Sequence, residues 1–306
     1  MDLVIVGSVG LDDVETPFGK VTHAAGGSAT FATLTSSFYA RTGFVGVVGD
    51  DWPESVNDVL RSRGVDLSGL ERVSGGTFRW GGKYGYDLNS RDTLFTELNV
   101  FADFNPVLPE SYRDVKFLFL GNIHPSLQWS VLEQARGAQF VGLDTMNYWI
   151  EGTPTELKKV LGRVNALLIN DSEARELSGE SNIVKAARAV AAMGPELVII
   201  KRGEYGALVY RDNNFFYVPA YPLENVIDPT GAGDCFAGGF MGYLARAGST
   251  DWPVLCQAMV AGSALASFCV EDFSIRRFSS LRADELAARI EQFRGLTDFQ
   301  PLAPLA

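Results

Sequence analysis

The stretch that decides the fold of this chain is Asp228-Pro229-Thr230-Gly231-Ala232-Gly233-Asp234. Residues 220–227 before it have the composition of an extended segment, and residues 235–247 after it have the apolar spacing of a helix. The two glycines permit backbone dihedral angles that a side chain forbids, and the proline stiffens the start of the turn. The pattern therefore predicts a tight strand-to-helix turn.

The predicted turn combines an anion site with a carboxylate. Backbone N–H groups from Gly231 to Asp234 would be the unpaired donors of a helix N-terminus, which attract an anion. Asp234 is poorly placed for simple phosphate binding, but well placed to take a proton from an alcohol that attacks a phosphoryl group. The alternative is an ordinary turn in which Asp234 caps the helix. The length of the run and the glycine-rich helix after it favour phosphoryl transfer.

Composition limits the possible functions. The chain has 306 residues, of which 46% are hydrophobic, enough for one large core. Its net charge of −11 argues against a nucleic-acid partner, since phosphate backbones need a basic face. Three cysteines without metal-site spacing, and an N-terminus without a basic leader, favour a reducing, cytoplasmic compartment. Because no uninterrupted apolar run reaches spanning length, no membrane contact is expected.

Two kinds of sequence pattern alternate along the chain. Short apolar runs separated by helical patterns predict a parallel sheet covered by helices; these runs are residues 3–6, 44–48, 116–120, 139–143, 166–169 and 197–200. Residues 14–24 and 75–101 are instead aromatic, β-branched and punctuated by glycine, with no helical pattern between strands. These two segments predict a small sheet outside the main layer.

Polar side chains follow several predicted strands. Asp12, Asn122, Asp144 and Asn170 each lie at or shortly after a strand end, the edge of an α/β sheet at which ligands bind. Each could also be a turn residue or a helix cap. Asn170 with Glu173 fits a capping box, and it equally fits an outer shell around Mg²⁺, which keeps most of its waters.

The run 228–240, together with Gly26-Gly27 and the pair Asn170 and Glu173, resembles the signatures of the ribokinase-like (PfkB) carbohydrate kinases. The resemblance implies a three-layer α/β/α sandwich with a mainly parallel central sheet and a small β lid. It divides the chain into a core (residues 1–12, 25–74 and 102–306) and a discontinuous lid (residues 13–24 and 75–101). It also implies a homodimer formed through the lid.

The resemblance assigns roles around the phosphoryl group. Asp234 is implied to be the catalytic base, with an anion hole at Gly231, Ala232 and Gly233. ATP is the implied donor, and the residues implied to contact it are Asn170, Glu173, Lys201, Gly203, Thr230, Gly231 and Gly233. Asn170 and Glu173 would hold Mg²⁺ through water, and Asp228 would contribute to a K⁺ site.

The resemblance also places the acceptor, a small-molecule alcohol. The residues implied to bind it are Asp12, Gly26 and Gly27, and the strand-end positions of Asn122 and Asp144 add these two as candidates. Phe31 stands where the family usually has an asparagine that contacts sugar, so we expect a less polar pocket there.

Three hypotheses about function follow. A free sugar is the acceptor expected first. A nucleoside is the alternative, because Phe31 and the lid aromatics Phe78, Trp80, Tyr84 and Tyr86 would suit a flat base. A non-catalytic ligand sensor on the same fold is the alternative from another class. Neither a Walker A motif nor the third glycine of a dinucleotide fingerprint is present in the sequence.

Overall fold

A computed structural model describes residues 1–298 and contains two sheets. The larger sheet is formed by β1 (Leu3–Val6), β4 (Thr42–Val48), β5 (Asp66–Arg72), β8 (Phe117–Leu120), β9 (Phe140–Asp144), β10 (Ala166–Asn170), β11 (Leu197–Lys201), β12 (Ala207–Arg211) and β13 (Asn214–Val218). The smaller sheet is formed by β2 (Gly10–Thr16), β3 (Gly19–Gly26), β6 (Phe78–Tyr84) and β7 (Arg91–Glu97).

The larger sheet is mainly parallel. Its strands lie in the order β13-β12-β11-β10-β9-β8-β1-β4-β5, and those from β11 to β5 run parallel to one another. Only β12 and β13, at one edge, are antiparallel to their neighbours in the described part of the chain. The carboxyl ends of the parallel strands therefore meet along one edge of the sheet, where ligands bind in such folds.

Helices cover both faces of this sheet. One hydrophobic cluster joins the sheet to α1 (Ser28–Ser36), α2 (Glu54–Ser62), α8 (Ala232–Ala247), α9 (Trp252–Cys269), α10 (Arg276–Ser280) and α11 (Ala283–Thr297). A second cluster joins the other face to α3 (Pro125–Gln134), α4 (Asn147–Gly152), α5 (Pro154–Leu161), α6 (Asp171–Ser178) and α7 (Ile183–Ala191). Successive residues of β1 alternate between the two clusters, as a strand buried on both faces requires.

The smaller sheet is the predicted lid. Its order is β3-β2-β6-β7, so two segments distant in sequence combine into one sheet. The β2–β3 hairpin is fastened to the core by two hydrogen bonds: Thr16 Oγ1 donates to the Ile227 carbonyl at 2.9 Å, and Ser274 Oγ donates to the Ala25 carbonyl at 2.6 Å. The lid is therefore attached to the segment before α8 and to the loop after α9.

The three-layer fold with a β lid is confirmed, and several local predictions need correction. No strand forms over residues 220–227, so the turn at 228–234 follows an irregular segment. Helix α10 and the strands β5 and β13 were not predicted. The lid strands extend beyond the predicted segments, to Gly10 and Gly26. The predicted domain boundaries and the tail at 302–306, which lies outside the described residues, stay untested.

One further expectation concerned membranes. By length and composition alone, α9 is long and apolar enough to cross a bilayer, so the expectation that no apolar run reaches that length was too strict. Most of α9 is buried inside the protein, where it packs against α8. A buried core helix accounts for this composition.

Candidate active site

The N-terminus of α8 carries the predicted anion hole. Gly231 precedes the helix with φ of 78°, a left-handed conformation that favours glycine. Within residues 1–298, the N–H groups of Gly231, Gly233 and Asp234 have no acceptor, whereas Ala232 N–H donates to the Pro229 carbonyl at 3.2 Å. Three of the four predicted donors are therefore free to bind an anion.

Asp234 lies in the first turn of α8, beside these amides. It is half-buried, and burial raises its pKa to about 7, with the negative charge of Asp144 adding to the shift. Lys201 and Arg91 oppose the shift through their positive charges. A carboxyl group whose pKa lies near neutrality can both hold and release a proton under working conditions, as a general base requires.

Lys201 connects the end of β11 to the anion hole. Its ammonium group pairs with Asp144 Oδ2 at 2.9 Å and lies 3.1 Å from the position that a Cβ atom would occupy at Gly233. Burial opposes the charged form, but the carboxylates of Asp144, Glu173 and Asp234 raise the Lys201 pKa on balance. The site therefore holds a fixed positive charge beside the free amides.

Asp144 was predicted to bind the acceptor, and in the structure both of its carboxylate oxygens accept hydrogen bonds from the protein. One carboxylate oxygen accepts from Lys201, and the other accepts from the Thr145 backbone N–H at 2.7 Å. Its contacts in the structure therefore orient Lys201. Binding of an acceptor by Asp144 stays a prediction.

Asn170 and Glu173 form the capping box of α6. Asn170 Oδ1 accepts from Glu173 N–H, and Glu173 Oε2 accepts from Asn170 N–H, both at 2.8 Å. Burial, with the Asp144 charge adding to it, raises the Glu173 pKa to about 7. The capping box leaves one Glu173 oxygen and the Asn170 amide NH₂ for other contacts.

These residues fit an outer-shell contact to Mg²⁺ better than direct binding. No cluster of three or more His, Cys, Asp or Glu side chains within residues 1–298 could hold a metal ion. Mg²⁺ keeps several waters and is usually bound through one or two carboxylates together with phosphates. A single available carboxylate oxygen on Glu173 matches that preference.

Asp12 and the two glycines form the joint between lid and core. The Asp12 side chain is buried, and a Cβ atom at residue 26 would overlap its carboxylate, so a larger residue there would displace Asp12. Gly27 has φ of 91°, and a Cβ there would lie 2.5 Å from the Ser8 carbonyl oxygen. Burial raises the Asp12 pKa to about 8, with the charges of Asp228 and Asp234 adding to it.

Replacing Asp12 by Asn should stabilise the ligand-free protein at high pH. Because the Asp12 pKa is about 8 in the folded state and about 4 when unfolded, the folded state holds the extra proton. The free energy of unfolding therefore falls as pH rises through this range, and Asn removes that loss. We expect the Tm of Asp12→Asn minus that of the wild type to increase from pH 5 to pH 9. A pH-independent difference would contradict this.

Asp13→Asn is the matched control for this experiment. Asp13 neighbours Asp12 but points to the other side of the lid, where it pairs with Arg79 at 3.2 Å. Its replacement removes a partly exposed ion pair, a change worth about 0–1 kcal/mol. It should give no stabilisation at high pH.

Two predicted acceptor residues have other contacts in the structure. Phe31 is only 2% exposed, and its ring lies directly against Gly231, behind the anion-hole turn. Asn122 Oδ1 accepts from Trp149 Nε1 at 2.9 Å, and its amide contacts Met146 Sδ at 3.0 Å. These contacts are within the protein, and binding of the acceptor by Phe31 and Asn122 stays a prediction.

Two lid residues lie near the site: Tyr84, which the sequence offered as an aromatic contact to a flat acceptor, and Arg91. Thr230 Oγ1 donates to Tyr84 OH at 3.2 Å, which joins the lid to the anion-hole turn. Arg91 lies opposite Tyr84 in the strand pairing. The period-two alternation of β6 and β7 could have placed Tyr84 and Arg91 on one face, but only the observed register shows which face it is. Of the other lid aromatics, Tyr86 is 90% exposed and Phe78 packs on Phe101.

A cavity of 480 Å³ opens beside the anion hole. The turn between β11 and β12, the start of α8 and the middle of α9 form its walls, and Phe236, Val226 and Val270 contribute apolar surface. Lys201, Gly203 and Gly233 also line it. The cavity is large enough for a small organic ligand, and one end of it reaches the free amides.

Comparison with known proteins identifies the family. The family model described as pfkB family carbohydrate kinase matches residues 4–280. This chain belongs to that family. A cytidine kinase from Thermococcus kodakarensis is 33% identical over 80% of this chain and 89% of its own length. An aminoimidazole riboside kinase from Salmonella typhimurium is 26% identical, over 87% of this chain and 88% of its own.

Solved structures agree on the fold. An adenosine kinase from Sinorhizobium meliloti superimposes with a TM-score of 0.78 at 18% identity, covering 95% of this chain and 98% of its own. A nucleoside kinase from Methanocaldococcus jannaschii, described as an archaeal member of the ribokinase family, gives a TM-score of 0.75 at 20% identity, covering 95% of this chain and 99% of its own.

Family membership establishes the class of reaction. The chain is a phosphotransferase with an alcohol acceptor, and the acceptor is a sugar or a nucleoside. The predicted use of ATP agrees with a kinase family. The enzyme hypothesis is confirmed, and the sensor alternative is set aside.

Proposed function

We propose that this kinase transfers the γ-phosphoryl group of ATP to the hydroxymethyl group of a nucleoside. The observation that carries the proposal is the first turn of α8, where Asp234 lies beside three free backbone amides and the Lys201 ammonium group. This arrangement supplies a base for the attacking alcohol and donors for the phosphoryl oxygens at the same place.

Each group has a defined part in the transfer. Asp234 accepts the hydroxyl proton as the acceptor oxygen attacks the γ-phosphorus in line, and the bond from this phosphorus to the β–γ bridging oxygen breaks, so that ADP leaves. The N–H groups of Gly231, Gly233 and Asp234 donate to phosphoryl oxygens as their negative charge shifts, and Lys201 adds a positive charge. Mg²⁺, when bound with the nucleotide, would neutralise phosphate charge, with Glu173 and Asn170 contacting its waters.

The donor is proposed to occupy the cavity beside the anion hole. An adenosine group fits a volume of 480 Å³ with apolar walls from Val226, Phe236 and Val270. From there the phosphate chain can pass Gly203 and Lys201 and reach Gly233. Thr230, predicted to contact the donor, lies in this turn, and its hydroxyl donates to Tyr84 OH of the lid.

The acceptor is proposed to lie between the first turn of α8 and the side of the lid that carries Asp12 and Trp80. Asp12 is a buried carboxyl group that can bond to sugar hydroxyls, and Trp80 pairs with it across adjacent strands. The sequence favoured a free sugar. The similarity to a cytidine kinase and to an aminoimidazole riboside kinase moves our preference to a nucleoside, whose base could stack on Trp80.

Three finer expectations are retained as part of this proposal. Asp228 is buried and one of its oxygens accepts from Thr230 N–H at 2.9 Å, and we keep this carboxylate as a ligand of the proposed K⁺. The lid-mediated homodimer would cover Leu94, which is 57% exposed on edge strand β7. A reducing cytoplasm suits Cys235, Cys256 and Cys269, all free thiols.

The test is ADP release from Mg-ATP with a panel of nucleosides, free sugars, polyols and sugar phosphates. We expect one or a few nucleosides to give kcat/KM at least about 10-fold above any free sugar, a difference that one binding pocket can supply. A free sugar as the strong acceptor would overturn the nucleoside assignment and leave the kinase mechanism standing. Absence of ADP release with every acceptor would overturn the proposal as a whole.

A further inference from the structure

The two faces of the lid carry different side chains. In the strand pairing Asp12 lies beside Trp80, and Tyr84 lies beside Arg91. Because paired residues share a face of a sheet, Asp12, Trp80, Tyr84 and Arg91 lie on one face, here called the inner lid face. Tyr84 is buried and bonds to Thr230, so this face looks toward the active site.

The opposite, outer lid face carries charges that neutralise one another. Arg79 pairs with Asp13 at 3.2 Å and with Glu97 at 3.4 Å, and Lys83 pairs with Glu15 at 2.6 Å. These are solvent-facing ion pairs between neighbouring strands. These ion pairs explain why the outer lid face carries Arg79 and Lys83, and no bound anion is needed to neutralise them.

Arg91 on the inner lid face has no such partner. No carboxylate oxygen of residues 1–298 lies within 4.0 Å of its guanidinium group, which instead lies 5.4 Å from the centre of the Trp80 ring. Its positive charge lowers the pKa values of Asp12, Glu173 and Asp234, against the stronger effect of burial. Arg91 is thus an exposed cation on the inner lid face, next to Trp80 and opposite Tyr84, without a carboxylate partner among residues 1–298.

The tip of the same hairpin reaches the other end of the site. Asp87, Leu88 and Asn89 line the 480 Å³ cavity, and Asn89 Oδ1 lies 3.0 Å from the position of a Cβ at Gly203. Leu88 adopts φ of 55° and packs in the small cluster that joins the lid to Ile227. The β6–β7 hairpin therefore extends along the site, from the cavity at its tip to the turn at Thr230.

We propose that the β6–β7 hairpin binds the donor nucleotide, with Asn89 contacting its nucleoside portion and Arg91 contacting its terminal phosphate. The inference rests on the proposed function, which places the donor in this cavity. The site already holds several acidic groups, which repel a polyphosphate: Asp12, Asp144, Glu173, Asp228 and Asp234. A phosphate chain that binds there therefore needs a cation, and the unpaired guanidinium group of Arg91 can supply it.

A consequence is that nucleotide binding draws the lid closed. Trp80 and Tyr84 belong to the same hairpin and lie next to the proposed acceptor site. When the hairpin moves toward bound nucleotide, these two side chains therefore also complete the acceptor pocket. Bound nucleotide should therefore strengthen acceptor binding, and acceptor should strengthen nucleotide binding by the same factor.

The experiment is an equilibrium titration of Arg91→Ala and Asn89→Ala with a Mg-bound, non-hydrolysable ATP analogue and with Mg-ADP, without acceptor. We expect Arg91→Ala to weaken the triphosphate about 10- to 100-fold and ADP less than about 3-fold, as loss of a charge-assisted contact to the third phosphate requires. Asn89→Ala should weaken both ligands by a similar, smaller factor of about 3- to 10-fold.

Lys83→Ala is the matched control. It removes one positive charge from the same hairpin, but from the outer lid face, and should leave both affinities within about 2-fold of the wild type. Arg91→Lys keeps the charge without the guanidinium fork, so its triphosphate affinity should be intermediate. Thermal unfolding of each variant identifies any loss of affinity that comes from loss of fold.

Two results would overturn the inference, and they are distinguishable. If the wild type binds the ATP analogue but Arg91→Ala and Asn89→Ala bind it equally well, the hairpin is not a nucleotide-binding element and the proposed function stands. A raised acceptor KM as the only effect of Arg91→Ala would have the same meaning. If the wild type binds neither nucleotide, the proposed function fails together with the inference.

Discussion

Asp234→Asn is expected to lower kcat by about 100- to 10,000-fold, the contribution that a positioned general base makes. Asparagine has the shape of aspartate and preserves the turn, but it cannot accept a proton from the attacking hydroxyl. The free amides and Lys201 remain, so nucleotide affinity should change little. Steady-state ADP release with the best acceptor, together with an equilibrium titration of nucleotide, separates these two effects.

The pH dependence supplies the control for this assignment. Since burial raises the Asp234 pKa to about 7, the wild-type kcat/KM should fall below that pH, where the base is protonated. The nearby Glu173 also has a pKa of about 7, so the measured value belongs to interacting groups. In Asp234→Asn the residual kcat/KM should fall less steeply below pH 7, because residue 234 no longer takes up a proton there. Near-normal turnover in the variant would contradict the base assignment.

The fold was predictable where one local signal dominated. Apolar runs such as 3–6 and 166–169 are buried on both faces of the sheet, so their sequences alone identify them as strands. Strand β5 was missed because it lies at the sheet edge, where the four polar or charged residues of Asp66–Arg72 are exposed or only partly covered. The segment 220–227 has strand-like composition, but it pairs with no strand among residues 1–298.

The site was predictable at positions where backbone chemistry decides the residue. Gly231, Gly26 and Gly27 each occupy a conformation or a space that excludes a side chain, and their glycines mark the site in the sequence. The partners of polar side chains were less predictable. The ion pair of Lys201 with Asp144 joins residues 57 positions apart, and nothing local in the sequence indicates it.

The lid showed the same limit. The sequence presents Arg79, Lys83 and Arg91 as three equivalent basic residues on strands. The strand register separates them, because Arg79 and Lys83 find acidic partners on the outer lid face and Arg91 does not. Phe31 is a similar case: its position matched a substrate contact, but the packing of α1 against α8 turns its ring onto Gly231.

Gly231→Ala is expected to lower kcat by about 100- to 1,000-fold, comparable to the loss of a preorganised donor from an oxyanion hole. The left-handed φ of 78° is unfavourable for alanine by about 1–2 kcal/mol. The new Cβ would also overlap the Phe31 ring, which is buried and cannot move away freely. Both effects shift the turn, and with it the N–H groups that must point at the phosphoryl oxygens. Steady-state kinetics and thermal unfolding measure the outcome.

Gly248→Ala separates the catalytic effect from the backbone effect. Gly248 ends the same helix, α8, with φ of 62°, also left-handed, but a Cβ there meets nothing within 4 Å among the described residues. It should therefore lose about 1–2 kcal/mol of stability through the same backbone penalty and retain wild-type kcat. Equal kinetics in the two variants would show that the amides at the start of α8 do not stabilise the transferring phosphoryl group. A large loss of kcat in Gly231→Ala alone would locate that stabilisation at this turn, because the two substitutions differ in position and in the contact with Phe31.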